Sequence, residues 1–126
     1  MDVRFFRCNI CRNIAVKVVD EGPALSCCGQ EMEELVADST DAATEKHVPC
    51  VTREGNRLQV NVGSVDHPML EEHYIQFICL VTTKDYHIHP LKPGDAPHAE
   101  FTVADDEQPL KVYEYCNIHG LWVKEL

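Results

Sequence analysis

The chain is poor in basic residues and has no long apolar run. Its 126 residues include 11 Lys and Arg against 21 Asp and Glu, giving a formal net charge of −10. Nucleic acids and anionic membrane surfaces attract the opposite charge balance, so neither is an expected partner. The longest apolar run, FICLV (77–81), is too short to span a bilayer. The charged amino-terminal stretch also lacks a signal peptide's apolar core, so we expect a cytoplasmic protein.

The sequence also lacks a convincing helical pattern of ten or more residues. Instead it has short strand-like segments between turn signals. RLQVNV alternates apolar and polar residues, as in a strand buried on one face, and YIQFICLVTT is nearly all apolar, as in a central strand. Shorter candidates are AEFTV, LKVYEY and LWVKEL. Many short strands at this spacing predict an all-β fold with an antiparallel sandwich.

The amino-terminal part differs from the rest of the chain in its cysteine content and residue pattern. Residues 1–36 hold four cysteines around a strand-like run, whereas the following ADSTDAATEKH is polar and aperiodic. We therefore predict two domains, a small metal-binding domain over 1–36 and a β-sandwich over 37–126. A segment as short as the first cannot bury enough apolar surface to fold alone, and a bound metal would supply the missing stability.

Seven cysteines is a high and odd number for a cytoplasmic protein. Because the reducing cytosol disfavours disulfides, metal ligation explains them better. The motifs CNIC and SCCG contribute Cys8, Cys11, Cys27 and Cys28. Four thiolates suit zinc or iron, although one disulfide with two free thiols would also use them. Cys50 and Cys79 lie in apolar runs, and we expect both to be small buried residues.

A second candidate site begins with EYCNIHGLW, where Cys116 and His119 are three residues apart. Earlier segments offer three further histidines: His47, His67 and His73. His67 and His73 are six residues apart, a spacing that would put both on one face of a regular strand, but Pro68 fits a loop equally well. Four imidazoles and one thiolate exceed the four ligands of structural zinc and favour a redox metal such as iron or copper with one open position. Spacing alone does not select these five residues. The rival histidines are His87, His89 and His98.

Taken in order, five motifs resemble desulfoferrodoxin, the two-iron class of superoxide reductase. They are CNIC…SCCG, STDAATEKHVP, GSVDHPMLEEHYI, LKPGDAP and EYCNIHGLW, and together they cover essentially the whole length. The resemblance implies a small desulforedoxin-like or rubredoxin-like metal domain followed by a seven-stranded immunoglobulin-like sandwich. It also implies an oxidoreductase that reduces superoxide to hydrogen peroxide and protects the cell against oxidative stress.

The same resemblance implies two irons per chain. The first would be held by Cys8, Cys11, Cys27 and Cys28. The second, catalytic iron would have four equatorial histidines, His47, His67, His73 and His119, and an axial thiolate from Cys116. Glu45 and Lys46 would flank the open face opposite Cys116, where superoxide reacts. Family members are typically homodimers that receive electrons from rubredoxin or a similar carrier.

Arg12 departs from the family pattern, which often has glycine directly after Cys-x-x-Cys. If that turn requires a positive φ, Arg12 carries roughly 1–2 kcal/mol of local strain.

Two other functions fit parts of the sequence. A non-catalytic redox carrier or zinc-stabilised binding module explains the four early cysteines but not the five later ligands. A superoxide dismutase would use the same substrate and a redox metal with a different electron balance.

Overall fold

Strands dominate both parts of the chain, so the all-β prediction is confirmed. The computed structural model describes residues 3–126. They form two compact units, the first ending at Val36 and the second beginning at Ala37. The one helix among the described residues is α1 (Thr44–His47), four residues long. No helix within residues 3–126 has the length and apolar character needed to cross a membrane.

Unit 1 contains five very short strands. They are β1 (Phe5–Arg7), β2 (Ile14–Val16), β3 (Ser26–Cys27), β4 (Gln30–Glu31) and β5 (Glu33–Glu34). β1 pairs antiparallel with β2 and β5, and β3 pairs with β4. A small buried cluster consists of Phe6, Cys8 and Met32. Because a cysteine forms part of so small a core, the fold of this unit depends on what that cysteine binds.

Unit 2 is a sandwich of seven antiparallel strands in two sheets, as predicted. The strands are β6 (Pro49–Glu54), β7 (Arg57–Val62), β8 (Ile75–Thr82), β9 (Tyr86–Pro90), β10 (His98–Thr102), β11 (Pro109–Cys116) and β12 (Gly120–Glu125). One sheet has the order β10-β7-β6 and the other β12-β11-β8-β9. Neighbouring strands in both sheets are antiparallel.

The apolar core of unit 2 follows the patterns seen in the sequence. Leu58, Val60 and Val62 of β7 are buried, whereas the residues between them are more exposed, because the strand alternates between core and solvent. β8 is buried along almost its whole length because it lies inside its sheet, between β11 and β9. Cys116, at the end of β11, belongs to the same core cluster. The core therefore extends directly to a predicted metal ligand.

One sequence prediction about a cysteine is wrong. Cys79 is buried on β8, as expected, but Cys50 is exposed. Cys50 lies on β6, which is an edge strand of the three-stranded sheet, and its side chain is on the outward side while that of the preceding Pro49 is buried. An apolar run on an edge strand does not require both faces to be covered.

A buried carboxylate links β8, β9 and the loop before β11. The Glu107 side chain is 4% exposed. It accepts hydrogen bonds from the Thr82 hydroxyl, from His87 Nε2 at 2.9 Å and from the Ala104 N–H at 2.9 Å. These hydrogen bonds, that of His87 first, lower the pKa of Glu107 to about 2. The carboxylate is therefore stabilised in its charged form by the folded structure.

We expect Glu107→Gln to be less stable than the native chain at neutral pH. Because the folded-state pKa is depressed, the contribution of Glu107 is complete above the ordinary glutamate pKa of about 4.3. It is lost as the pH falls through the folded-state value of about 2. Denaturant unfolding of both proteins at matched pH values should show that the difference between their free energies of unfolding becomes smaller as the pH falls across this window. Glu125→Gln, at an exposed position, is the control, and a pH-independent difference for Glu107→Gln would contradict the assignment.

Candidate metal centres

The four cysteines of unit 1 converge on one point. The sulfur atoms of Cys8, Cys11, Cys27 and Cys28 all lie within 4.8 Å of one another. The Cys11 and Cys27 sulfurs are 3.5 Å apart, and all seven cysteines of the chain are free, so the disulfide alternative is not formed. Cys11 and Cys28 are exposed, whereas Cys8 is buried. This centre therefore has one enclosed side and one open to solvent.

Backbone N–H groups and shared protons show that the first centre suits a cation. The Cys11 N–H donates to the Cys8 sulfur at 3.4 Å. The N–H groups of Cys11 and then Ile10 lower the pKa of Cys8 to about 6, favouring the thiolate. Hydrogen bonds to Cys11 and then Cys8 raise the pKa of Cys27 to about 12. Clustered sulfurs hold protons between them, and a metal ion replaces those protons on binding.

The second set of predicted ligands is also assembled. One ligand atom from each of His47, His67, His73 and Cys116 lies within 4.8 Å of the others. The ring of His119 stands beside those of His47 and His73, with centroids 5.0 and 5.1 Å apart. None of the rival histidines joins this cluster. His87 instead groups with Asp85 and Glu107.

These ligands come from separate elements around one end of the sandwich. His47 ends α1, and Cys116 ends β11. His119 lies in the turn between β11 and β12, and His67 and His73 lie in the loop between β7 and β8. The two histidines six residues apart are therefore not on one strand face. Pro68 and the isolated bridge between Leu70 and His73 interrupt the strand pattern there.

Hydrogen bonds orient two of the imidazoles inward. His47 Nδ1 donates to the Ala43 carbonyl at 2.8 Å, and His67 Nδ1 donates to the Pro68 carbonyl at 2.7 Å. Each bond leaves Nε2 free to bind, and the two Nε2 atoms are 3.1 Å apart. His73 Nε2 is buried without a hydrogen-bond partner. A buried nitrogen with no protein partner, facing other ligand atoms, fits a bound metal.

The electrostatics of the second centre favour neutral imidazoles. Burial, as the largest cause, lowers the pKa of His67 to about 4 and also lowers those of His47 and His73. Neutral imidazole is the form that binds metal. Burial likewise raises the pKa of Cys116, opposed by the N–H groups of His119, at 3.4 Å from the sulfur, and Ile118. A cation at this point would reverse that shift and hold the thiolate.

Two residues were missed from the sequence: Trp122 at this centre, and Glu114, two residues before Cys116 on β11. Trp122 stacks on His47, with ring centroids 4.9 Å apart, and donates from Nε1 to the His119 carbonyl at 3.1 Å. Glu114 is fully buried, and neither carboxylate oxygen has a hydrogen-bond partner. Burial, and then the charge of Asp38, raises the pKa of Glu114 well above its ordinary value. Trp122 lies three residues after His119, the spacing that allows its side chain to return to that turn.

Glu45 and Lys46 immediately precede the candidate ligand His47. Both are exposed residues of α1. The pKa of His47 and that of His73 are lowered first by burial, and the positive charge of Lys46 is a further cause at both. The positive charge of Lys46 therefore acts on both of these imidazoles.

The sequence matches one family along almost its whole length. Residues 39–125 match the family described as Desulfoferrodoxin, and residues 2–35 match the one described as Desulfoferrodoxin, N-terminal domain. The chain belongs to the desulfoferrodoxin family. A desulfoferrodoxin homolog of Archaeoglobus fulgidus is 49% identical over 121 residues, which are 95% of this chain and 94% of that protein. The four-cysteine and histidine–cysteine sites are consistent with the two iron centres of desulfoferrodoxin.

Solved structures similar to this member of the desulfoferrodoxin family are superoxide reductases. The enzyme from Treponema pallidum has a TM-score of 0.84 and 34% identity, covering 99% of this chain and 100% of that one. A one-iron superoxide reductase from Giardia intestinalis has a TM-score of 0.55 and 36% identity, covering 65% of this chain and 99% of its own. The one-iron protein therefore matches a part of this chain that is about as long as unit 2.

The two ligand turns have the same backbone form but different residues at one position. In each, the N–H of the second ligand donates to the sulfur of the first at 3.4 Å. The next residue then has a positive φ, 70° at Arg12 and 81° at Gly120. The turn therefore does require a positive φ at Arg12, and Arg12 carries roughly 1–2 kcal/mol of strain that glycine would avoid.

We expect Arg12→Gly to stabilise unit 1. The substitution removes the Cβ that disfavours a positive φ, so the first centre should lose its metal more slowly to a chelator, by about fivefold or more. Arg12→Ala is the matched control, because it removes the side chain and its contacts but keeps the Cβ. Metal release is followed by the visible absorption of the centre. Equal release from the two variants would show that φ strain is not the cause.

We also expect the two centres to be separable by mutation. Cys27→Ser should lower the iron content by about one per chain and leave superoxide reduction by pre-reduced protein largely intact. His67→Ala and Cys116→Ser should remove that activity and leave the absorption of the first centre. Iron analysis combined with visible spectroscopy measures both. Loss of superoxide reduction in Cys27→Ser protein whose second centre still holds iron would contradict separate roles.

Proposed function

We propose that this chain is a superoxide reductase whose active centre is formed by His47, His67, His73, His119 and Cys116. The reaction adds one electron and two protons to superoxide and yields hydrogen peroxide. The observation that carries the proposal is the clustering of one ligand atom from each of four residues, His47, His67, His73 and Cys116, within 4.8 Å. The ring of His119 lies beside those of His47 and His73, and His73 Nε2 is buried without a partner. A ferrous iron bound by this donor set supplies the single electron.

The negative charge of Cys116 supports reduction of superoxide over its oxidation. The thiolate of Cys116 would hold the metal and, because it is anionic, would favour donation of an electron to the substrate. Its sulfur accepts the His119 N–H at 3.4 Å, which holds it in place and moderates its charge. Trp122 covers His47 and excludes water from one side of the ligand set. Cys116 and His47 are 0% and 2% exposed, so the charge of the thiolate is weakly screened.

Lys46 explains how an acidic protein attracts an anion. A divalent cation with one thiolate and neutral imidazoles keeps a positive charge, and the ammonium group of Lys46 adds another. Carboxylates farther away are screened over about 8–10 Å at physiological salt. The local field therefore dominates the net charge of −10 at the point where superoxide arrives. Glu45, the preceding residue, is assigned as a carboxylate at this exposed face that would stabilise the oxidised metal.

The first centre is suited to electron entry. Cys11 and Cys28 are exposed, so a carrier protein can approach their sulfurs. A rubredoxin-like carrier is the proposed donor. The proposed assembly is a homodimer, and the family resemblance supports it. A cytoplasmic location agrees with the fact that all seven cysteines are free.

Peroxide yield tests the proposed function. A reductase gives close to one hydrogen peroxide per superoxide and releases no oxygen, because each turnover takes its electron from an external donor. A dismutase gives one half, with oxygen released and no donor consumed. We expect the first result from iron-loaded protein with a reductant under a steady superoxide flux, corrected for spontaneous dismutation.

The His67→Ala variant is the control for this measurement. It keeps the first centre but should give only the spontaneous yield, because the active centre is incomplete. A peroxide yield near one half in the native protein, with oxygen evolution above the spontaneous rate, would show that the protein is a dismutase. Donor oxidation without any superoxide consumption would show that it is a redox carrier.

A further inference from the structure

The backbone that carries Glu45 and Lys46 is held from one side. The Glu45 carbonyl oxygen accepts a hydrogen bond from the Val65 N–H at 3.0 Å. The same oxygen accepts a second one from the Ser64 hydroxyl at 3.2 Å. Both donors lie in the loop after β7, which continues to the ligand His67. Two donors on one carbonyl fix the peptide between Glu45 and Lys46 against that loop.

Gly63 allows this contact because it has no side chain. A Cβ at this position would lie 2.7 Å from the Glu45 carbonyl oxygen, 2.8 Å from that of Val48 and 3.2 Å from the Lys46 carbonyl carbon. All three are backbone atoms, which cannot rotate away as a flexible side chain can. The other five glycines of the chain have a positive φ. Gly63 does not, and lack of space excludes a side chain there.

The loop that makes these contacts is itself well held. The Gly63 N–H donates to the Val65 carbonyl at 3.2 Å, and the His67 N–H donates to the Val62 carbonyl at 2.8 Å. The Asn61 side-chain amide donates to the Gly63 carbonyl at 2.9 Å. The loop is therefore anchored to the end of β7 and can act as a firm support for the segment opposite.

The segment that carries Lys46 has little stability of its own. α1 has four residues and no side-chain hydrogen bond at its N-cap. A single helical turn is unstable in isolation because it fixes several residues for very few hydrogen bonds. The position of Lys46 must therefore come from tertiary contacts. These contacts include the stacking of the His47 ring on Trp122 and the hydrogen bonds from Ser64 and Val65 to the Glu45 carbonyl.

We propose that Gly63, Ser64 and Val65 form a backbone clamp that sets the position of Lys46 beside the active centre. Gly63 is then a positioning residue for superoxide reduction. It acts through Lys46 and does not touch the substrate. The proposal rests on the proposed function, since it concerns how superoxide is drawn to the same centre. The clamp adds Gly63, Ser64 and Val65 to the residues that act in superoxide reduction, although none of the three supplies a metal ligand or a charge.

A double-mutant cycle tests the clamp in iron-loaded protein. Lys46→Ala should lower the second-order rate with superoxide by about tenfold at low ionic strength and flatten its salt dependence. Gly63→Ala should reproduce most of that loss and the flatter salt dependence. In the Gly63→Ala background, Lys46→Ala should lower the rate by less than about twofold, because the two residues act as one unit. Rate losses that simply multiply would overturn the proposal.

Two further variants separate positioning from general damage. Gly55→Ala places a Cβ where no atom lies within 4 Å but at a φ of 62°, so it brings strain without touching the active centre. It should leave the superoxide rate unchanged. Ser64→Ala removes one of the two donors to the Glu45 carbonyl, and we expect a loss of about two- to fourfold with a flatter salt dependence. If Gly63→Ala does not fold, an unchanged rate in Ser64→Ala overturns the clamp.

Hydrogen exchange tests the clamp without relying on activity. In the iron-loaded protein, the Val65 amide should exchange about tenfold or more faster in Gly63→Ala than in the native chain and Gly55→Ala, because its acceptor moves. Unchanged exchange overturns the clamp even if the protein reduces superoxide. Faster exchange in Gly63→Ala, in a protein that does not reduce superoxide, retains the clamp as a structural device and refutes the proposed function and the positioning role.

Discussion

Unit 2 depends on a group of buried donor atoms that the protein alone does not satisfy. The nitrogen of His73 has no partner, two Nε2 atoms face each other at 3.1 Å, and burial opposes charge on His67 and on Cys116. A bound cation gives His73 Nε2 and the two facing Nε2 atoms a partner and favours the thiolate of Cys116, while the low pKa of His67 already keeps its imidazole neutral. The ends of β7, β8 and β11 and the position of α1 are arranged around that requirement. Metal binding and the stability of this end of the sandwich are therefore linked.

The two candidate metal centres share a turn geometry but differ in how far their surroundings are buried. Both use a turn in which a backbone N–H donates to a ligand sulfur at 3.4 Å. In unit 1 the turn stands in a small core with two cysteines exposed, whereas in unit 2 Cys116 belongs to the main apolar core. Exposure suits exchange of electrons with another protein. Enclosure suits a centre that admits a small anion on one face and protects its thiolate on the other.

Periodicity predicted the sandwich well because its inner strands obey it. The alternation in β7 and the apolar run in β8 both report the burial of those faces. Edge strands gave weaker signals, and Cys50 on β6 was wrongly expected to be buried. From residue types and spacing alone, His67 and His73 were left open between a strand and a loop, since an even spacing fits both. The ligand set was suggested by the family resemblance, because residues from separate elements have no common local pattern.

The stacking of Trp122 on His47 has a practical consequence for the study of this protein. It is the only tryptophan in the chain, and it lies in unit 2. Its ring centroid is 4.9 Å from that of a proposed ligand. Indole emission excited at long wavelength therefore comes from one place, and a nearby redox metal quenches it. The intrinsic fluorescence of the chain is an optical gauge of the occupancy of the second centre, and the state of the first centre contributes no tryptophan signal of its own.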